Sequence, residues 1–71
     1  MTIREYAKAR GHQIVGRLTR RPEWEYEYDD SWMAGEKKHS GCKHYADEGG
    51  NEYIIGKDGT ICIVTEDGAV I

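Results

Sequence analysis

Short turn sequences at regular intervals in the C-terminal half of the chain constrain its fold more than any other feature. Asp-Gly pairs occur at Asp58-Gly59 and Asp67-Gly68, nine residues apart, and Gly49-Gly50-Asn51 precedes them. Asp, Asn and Gly favour the positive φ angles that tight hairpin turns require. Segments of this length between such turns are typical of short antiparallel strands. We therefore predict a β-meander with strands over residues 44–47, 52–56, 60–65 and 69–71.

The third of these strands has apolar side chains on both faces, because Ile61–Val64 reads Ile-Cys-Ile-Val. Such a strand is typical of the middle of a sheet, where both faces are covered. We predict that it is central and that an N-terminal helix covers one of its faces. The chain ends on Val70-Ile71, so we expect its last residue to belong to the sheet.

The first residues predict a helix over residues 2–10. Thr2 and Glu5 have the spacing of a capping box, in which each side chain bonds a backbone N–H that the first turn leaves unpaired. Gly11 ends the helix, because glycine enters the left-handed conformation without a Cβ clash. The apolar stripe of this helix consists of Ile3, Tyr6 and Ala7.

Residues 12–21 fit two different structures, and we favour a strand over residues 13–19. Gly16 disfavours a helix by about 1 kcal/mol relative to alanine, and the β-branched residues near it are typical of strands. Pro22 ends the segment, because proline lacks an N–H and restricts the residue before it.

The other structure is a second helix, since Ile14 and Leu18 have i, i+4 spacing. The first helix would then contain Glu5-Tyr6-Ala7, and Gly11 would form the turn. The second segment would contain Arg17, Arg20 and Arg21. In this form Thr2–Arg21 resembles the helix-turn-helix family, and the resemblance implies nucleic-acid binding. The segment departs from that pattern where a small helical pair usually has apolar residues, at Arg10, His12 and Arg17.

Residues 23–28 read Glu-Trp-Glu-Tyr-Glu-Tyr, the clearest period-two pattern in the chain. The pattern predicts an antiparallel strand with one buried and one hydrated face. We expect the rings to face inward, namely Trp24, Tyr26 and Tyr28. We expect the carboxylates to face water, namely Glu23, Glu25 and Glu27. Pairing with residues 13–19 would place Arg17 across from these glutamates.

Residues 29–43 follow neither period and contain two glycines. We predict a loop here, with Trp32 anchoring one end. Loops of this length are uncommon in compact domains and are often functional.

Together these elements predict one small α+β domain over residues 1–71, with an N-terminal helix packed on an antiparallel β-meander of four to six short strands. A chain of 71 residues buries only about 60% of its unfolded surface, which excludes a large cleft inside a thick core. Its longest apolar run is Ile61–Val64, far short of the ~20 residues that span a bilayer. The N-terminus lacks the apolar segment of a secretory signal. We expect a cytoplasmic protein with no membrane partner.

Charges alternate in blocks along the chain. The net charge of −3 is the total of +5 over residues 1–22, −5 over 23–30, +2 over 31–45 and −5 over the remainder. Such blocks indicate either internal neutralisation or a bipolar binding surface. We favour internal neutralisation.

Four residues carry nitrogen or sulfur donors with loose metal-ligand spacing: His39, Cys42, His44 and Cys62. Zinc binds four such donors in a tetrahedron, and a metal would stabilise so small a core. A second paired motif is missing, and Cys62 fits as a small core residue. We therefore predict no metal site and no cofactor, and keep a metal-stapled domain as an alternative.

The cysteines suggest two further possibilities. A disulfide between Cys42 and Cys62 is disfavoured without a secretion signal. For nucleophilic catalysis, Cys42 beside His39 or His44 would need an orienting group and an oxyanion site. The sequence locates neither of them, so we predict that the protein is not an enzyme.

We expect a non-enzymatic interaction module that binds another protein, like small accessory or inhibitor proteins of bacteria, phages and mobile elements. Tyr and Trp are enriched at protein interfaces. The candidate binding residues are Trp32, Tyr28, Glu23, Glu25, Glu27, Arg17, Arg20 and Arg21. The alternative is nucleic-acid binding by the basic segment 4–21, through Arg4, Lys8, Arg10, Arg17, Arg20 and Arg21. An exposed strand edge would also allow a homodimer.

Overall fold

The computed structural model describes residues 1–28 and 37–71. Within these ranges the chain forms one α-helix, a short 3₁₀ helix at Pro22–Trp24 and six strands. The helix is α1 (Ile3–Ala9). The strands are β1 (Thr19–Arg20), β2 (Tyr26–Tyr28), β3 (Lys37–His39), β4 (Lys43–Ala46), β5 (Glu52–Ile55) and β6 (Ile61–Val64).

Antiparallel pairing connects the strands into two sheets. The main sheet has the order β1-β4-β5-β6, and β2 and β3 form a separate two-stranded sheet. In the main sheet Tyr45 lies opposite Tyr53, which in turn lies opposite Ile63. One N-terminal helix with antiparallel strands confirms the predicted α+β fold class.

Strand β6 is one of the two edge strands of the main sheet, so the prediction that Ile61–Val64 is central is wrong; the central strands are β4 and β5. Its outer edge is covered by the chain end, where Val70 bridges to Val64. Ile71 N–H donates to Ile63 O at 2.8 Å, and Ile63 N–H donates to Ile71 O at 3.4 Å. The end of the chain therefore adds to the sheet, as a bridge rather than as a full strand.

Helix α1 begins at the capping box that the sequence predicts. Glu5 N–H donates to Thr2 Oγ1 at 3.1 Å, and Thr2 N–H donates to Glu5 Oε1 at 2.9 Å. At the other end Gly11 has a φ of +70°. This conformation lets His12 N–H donate to Ala7 O at 2.9 Å, which adds to the longer bond that Arg10 N–H makes with the same carbonyl at 3.2 Å.

The core lies between α1 and one face of the main sheet. Ile3 and Ala7 from the helix meet Tyr53 and Ile63 from the sheet. Tyr53 and Ile63 have no exposed surface. Burial of this small cluster is the main apolar contribution to the folded state.

Residues 12–18 form neither the predicted strand nor the alternative second helix. Their backbone bonds side chains of the β4–β5 turn instead: Val15 N–H donates to Asp47 Oδ2 at 3.0 Å and Arg17 N–H to Glu48 Oε2 at 2.8 Å. Carboxylates thus take the place of a neighbouring strand. The prediction of a strand over 13–19 is wrong for all but Thr19.

The segment 23–28 also differs from its prediction. Pro22–Trp24 is a 3₁₀ helix, and only Tyr26–Tyr28 is a strand, which pairs with β3 rather than with residues 13–19. Strand β3 itself lies inside the predicted loop 29–43. The rest of that loop to residue 36, including Trp32, lies outside the described residues.

The packing of Gly16 against Glu48 yields a stability prediction with a matched control. Gly11 and Gly16 share a φ of +70°, but only at Gly16 would an added Cβ overlap the Glu48 side chain. We expect Gly11→Ala to lower the free energy of unfolding by about 1–2 kcal/mol through left-handed strain. Gly16→Ala should cost about 0.5–1.5 kcal/mol more, because Glu48 must release the Arg17 N–H.

Urea denaturation of both variants measures this difference. Equal losses would show that the Glu48 contact does not hold residues 12–18 on the sheet.

Candidate functional site

The Glu25 carboxylate is buried at the junction of the two sheets, with 1% of its surface exposed. Arg20 donates to it twice, from Nε and Nη2, each at 3.0 Å. His39 Nε2 lies 3.1 Å from Oε1, and the His44 backbone N–H donates to Oε2 at 3.3 Å. One side chain therefore connects β1, β3 and β4.

The tautomer of His39 follows from its two contacts. Gly41 N–H donates to His39 Nδ1 at 2.9 Å, so Nδ1 carries no proton. Nε2 must then hold the ring proton and donate it to Glu25. His39 is a neutral donor in this arrangement.

The Arg20 hydrogen bonds are the largest cause of a low pKa at Glu25. They outweigh the effect of burial, and with the bonds from His44 and His39 they lower the pKa of Glu25 to about 2. The same pair raises the pKa of Arg20. Glu25 is therefore an ionised and fully paired structural carboxylate.

Burial of Glu25 turns the neighbouring rings outward, which reverses the expected sidedness. Trp24 is 45% exposed and Tyr26 is 43% exposed. The Arg21 guanidinium lies over the Trp24 ring, 5.6 Å from its centroid. The Tyr26 ring meets His39 edge-on, at 5.1 Å between centroids. We call Arg21, Trp24, Tyr26 and His39 the aromatic surface.

The acidic candidates do not form the hydrated acidic face that the sequence predicts. Glu25 is buried, and Glu23 pairs with Arg21 at 3.7 Å. Glu27 is exposed and lies opposite Lys38 in the β2–β3 register. Of the three glutamates predicted to face water, Glu23 and Glu27 lie on the surface.

The remaining predicted binding residues are scattered. Arg20 is held by Glu25, and Tyr28 ends β2 opposite Lys37. Arg17 is exposed, and within the described residues it forms no ion pair. In the part of the chain that the structure describes, internal neutralisation therefore accounts for Arg20 and Arg21, and the other basic residues of segment 4–21 form no ion pair there.

The four metal-ligand candidates do not converge on one site. His39 bonds Glu25, and His44 Nδ1 lies 2.7 Å from Glu52 Oε1. Cys42 and Cys62 are free thiols. In residues 1–28 and 37–71, no group of three or more His, Cys, Asp or Glu side chains could hold a metal ion. Both ring nitrogens of His39 are occupied, Nε2 by Glu25 and Nδ1 by the Gly41 N–H, so Cys42 does not pair with this histidine.

A second buried carboxylate, Asp47, was not among the predicted residues. Backbone N–H groups of Val15, Gly49 and Asn51, the Asn51 amide and the Tyr53 hydroxyl all donate to it, at 2.8–3.0 Å. Burial alone would raise the pKa of Asp47, but these bonds hold it well below its ordinary value. Burial and the bond to Asp47 raise the pKa of Tyr53.

Sequence signals for the two carboxylates differ. Asp47 stands two residues before Gly49-Gly50, where Asp side chains commonly bond the turn backbone. Glu25 gives no such signal, because its partners come from three separate segments.

Comparison with protein-family models, with curated proteins and with solved structures finds no match for this chain. Among the residues that the structure describes, no helix has the length and apolar character needed to cross a bilayer. The function therefore has to be argued from the geometry of the site.

The Glu25 pairing predicts a specific acid sensitivity. The pKa of Glu25 is 4.5 in the unfolded chain and about 2 in the folded protein. Its contribution to stability is therefore fully present above pH 4.5 and is lost as the pH falls towards 2. We expect Glu25→Gln to be less stable than the wild type at neutral pH and to lose less further stability across that window.

Urea midpoints measured from neutral pH to pH 2 test this, with Glu27→Gln as the exposed control that keeps the wild-type slope. A Glu25→Gln variant that loses stability as steeply as the wild type would contradict the assignment.

Proposed function

We propose that this protein is a non-enzymatic module that binds another protein through the aromatic surface. The observation that carries the proposal is the reversed sidedness at residues 24–26. A carboxylate is buried there, and the rings on either side of it in the chain are exposed.

This arrangement gives up apolar burial that the chain has little of. Full burial of a large apolar side chain contributes about 1.5–3 kcal/mol, and only 38% of this sequence is hydrophobic. Burying an ionised carboxylate instead is costly unless it is fully paired. Departures of this kind from a simple core pattern are typical of functional sites.

The exposed rings are attached to an ordered support. Glu25 bonds β1, β3 and β4, and the Glu25 O accepts from Ser40 N–H at 2.7 Å. Tyr and Trp offer large contact areas at a low cost in side-chain entropy, and a preorganised surface reduces that cost further. Trp, Tyr and Arg dominate interface energetics, and Arg21, stacked on Trp24, adds the third of these residue types.

The rim of the aromatic surface indicates the kind of partner. Glu23 is paired with Arg21, so charges of both signs stand beside Trp24, whereas Glu27 and Lys38 pair on the opposite face of the β2–β3 sheet from Tyr26. A strongly charged partner gains little from such a rim. The partner that fits is a protein with an apolar pocket and a mixed polar border.

Two expectations accompany this proposal. Free thiols at Cys42 and Cys62 are typical of a reducing compartment, which supports placing the module in the cytoplasm. Its action as an accessory or inhibitor protein, and a homodimer through a strand edge, stay predictions.

The nucleic-acid alternative loses its structural template. Residues 12–18 are not helical, so the segment Thr2–Arg21 lacks the second helix with which a helix-turn-helix enters a groove. Arg20 and Arg21 are paired with glutamates. The basic residues left without an acidic partner in the described part of the chain are Arg4, Lys8, Arg10 and Arg17.

Photo-crosslinking in lysate of the native host tests the proposal. A photoreactive phenylalanine analogue at Trp24 should capture a protein that the same analogue at Val70, which is 69% exposed, does not. No capture specific to position 24 would refute the proposal.

Affinity for the captured protein then tests the rings individually. Trp24→Ala and Tyr26→Ala should each weaken binding by about 30-fold, the effect of a residue worth about 2 kcal/mol at an interface. Val70→Ala should change affinity by less than about 3-fold, as a surface residue outside the interface does. Unchanged melting curves would assign the loss to the surface rather than to the fold.

A further inference from the structure

A cleft of about 410 Å³ opens beside α1, against the segment 11–14 that follows the helix. Ala7 and Ile14 supply apolar lining, and the polar lining comes from Arg4, Lys8, His12 and Gln13. The volume lies within the range of about 300–1,000 Å³ found for small-molecule sites, and the cleft is open to solvent and lined mostly by polar residues. The cleft is separate from the aromatic surface, since the two share no residue.

Two cations stand together in this cleft. Arg4 and Lys8 are four residues apart on α1, so their side chains share one face of the helix. Glu5, the acidic residue of this helix, is held in the capping box with Thr2. Within residues 1–28 and 37–71 neither cation forms an ion pair. Like charges at this spacing disfavour a helix, and a bound anion would relieve that repulsion.

Unlike these two cations, His12 is held in place by a hydrogen bond to the core. Tyr53 OH donates to Asp47 Oδ2 at 2.8 Å, so its oxygen is left to accept from His12 Nε2 at 2.8 Å. Val15 N–H donates to the same Asp47 oxygen at 3.0 Å. This network ties the segment after α1 to the core, and the cleft therefore has one rigid side.

We propose that this cleft binds a phosphomonoester carried by a small organic group. Such a phosphate has close to two negative charges at neutral pH, which matches the adjacent Arg4 and Lys8. The planar guanidinium can hold two phosphate oxygens and the ammonium a third. The half-buried Ile14 then contacts the organic group, with the core residue Ala7 behind it.

Titration with phenyl phosphate, followed by NMR shifts of the Ala7 and Ile14 methyl groups, tests the site. We expect saturable shifts, and binding at least 10-fold weaker for inorganic phosphate, which lacks the ring, and for phenol, which lacks the phosphate. Arg4→Gln and Lys8→Gln should each weaken binding at least 10-fold. Arg17→Gln removes the same charge outside the cleft and should leave affinity within 2-fold.

A terminal phosphate on DNA has the same chemistry as a small phosphomonoester. A 12-nucleotide strand, tested with and without a 5′-phosphate, distinguishes these two sources of the bound phosphate. Binding of the strand only when it carries the 5′-phosphate supports the site and identifies DNA ends as ligands. Binding irrespective of the 5′-phosphate, with Arg17→Gln weakening it as much as Lys8→Gln, overturns the proposal in favour of a diffuse basic surface. Absence of saturable shifts with phenyl phosphate in a wild type that melts cooperatively also overturns it.

Discussion

The ion pair between Arg20 and Glu25 connects parts of the chain that no continuous sheet connects. The two sheets share no strand pairing, and the Glu25 carboxylate bonds β1 and β4 of one and β3 of the other. The orientation of the 3₁₀ helix and the exposure of Trp24 and Tyr26 follow from that single buried group. The proposed binding surface is therefore supported by the pairing of Glu25 with these strands.

Asp47 performs a comparable role at the other end of the main sheet. It gathers five donors from the β4–β5 turn, from Val15 and from Tyr53. A chain this small has too few apolar residues to position every segment by burial. Both irregular segments, 12–18 and 22–25, are instead positioned by carboxylates whose hydrogen-bonding capacity is used by the protein.

Local chemistry made part of this structure predictable. The capping box of Thr2 and Glu5 and the glycine turns act over a few residues, and they gave the helix and the meander correctly. The period-two pattern at 23–28 did not indicate which side chain lies inside, because the burial of Glu25 alone among the three glutamates depends on Arg20, His39 and His44. Similarly, Val15 and Arg17 bond carboxylates about thirty residues away, a distance over which turn and propensity rules do not operate. The cleft beside α1 also needed the fold, since His12 is positioned by Tyr53.

Strand β1 is only two residues long, so the outer edge of β4 extends beyond it. There the Glu25 side chain accepts the His44 N–H that a further strand would otherwise use. Open edges of this kind recruit strands from other molecules and start aggregates. By accepting this N–H, Glu25 leaves one backbone donor fewer on the open edge of β4 for a strand of another molecule to pair with.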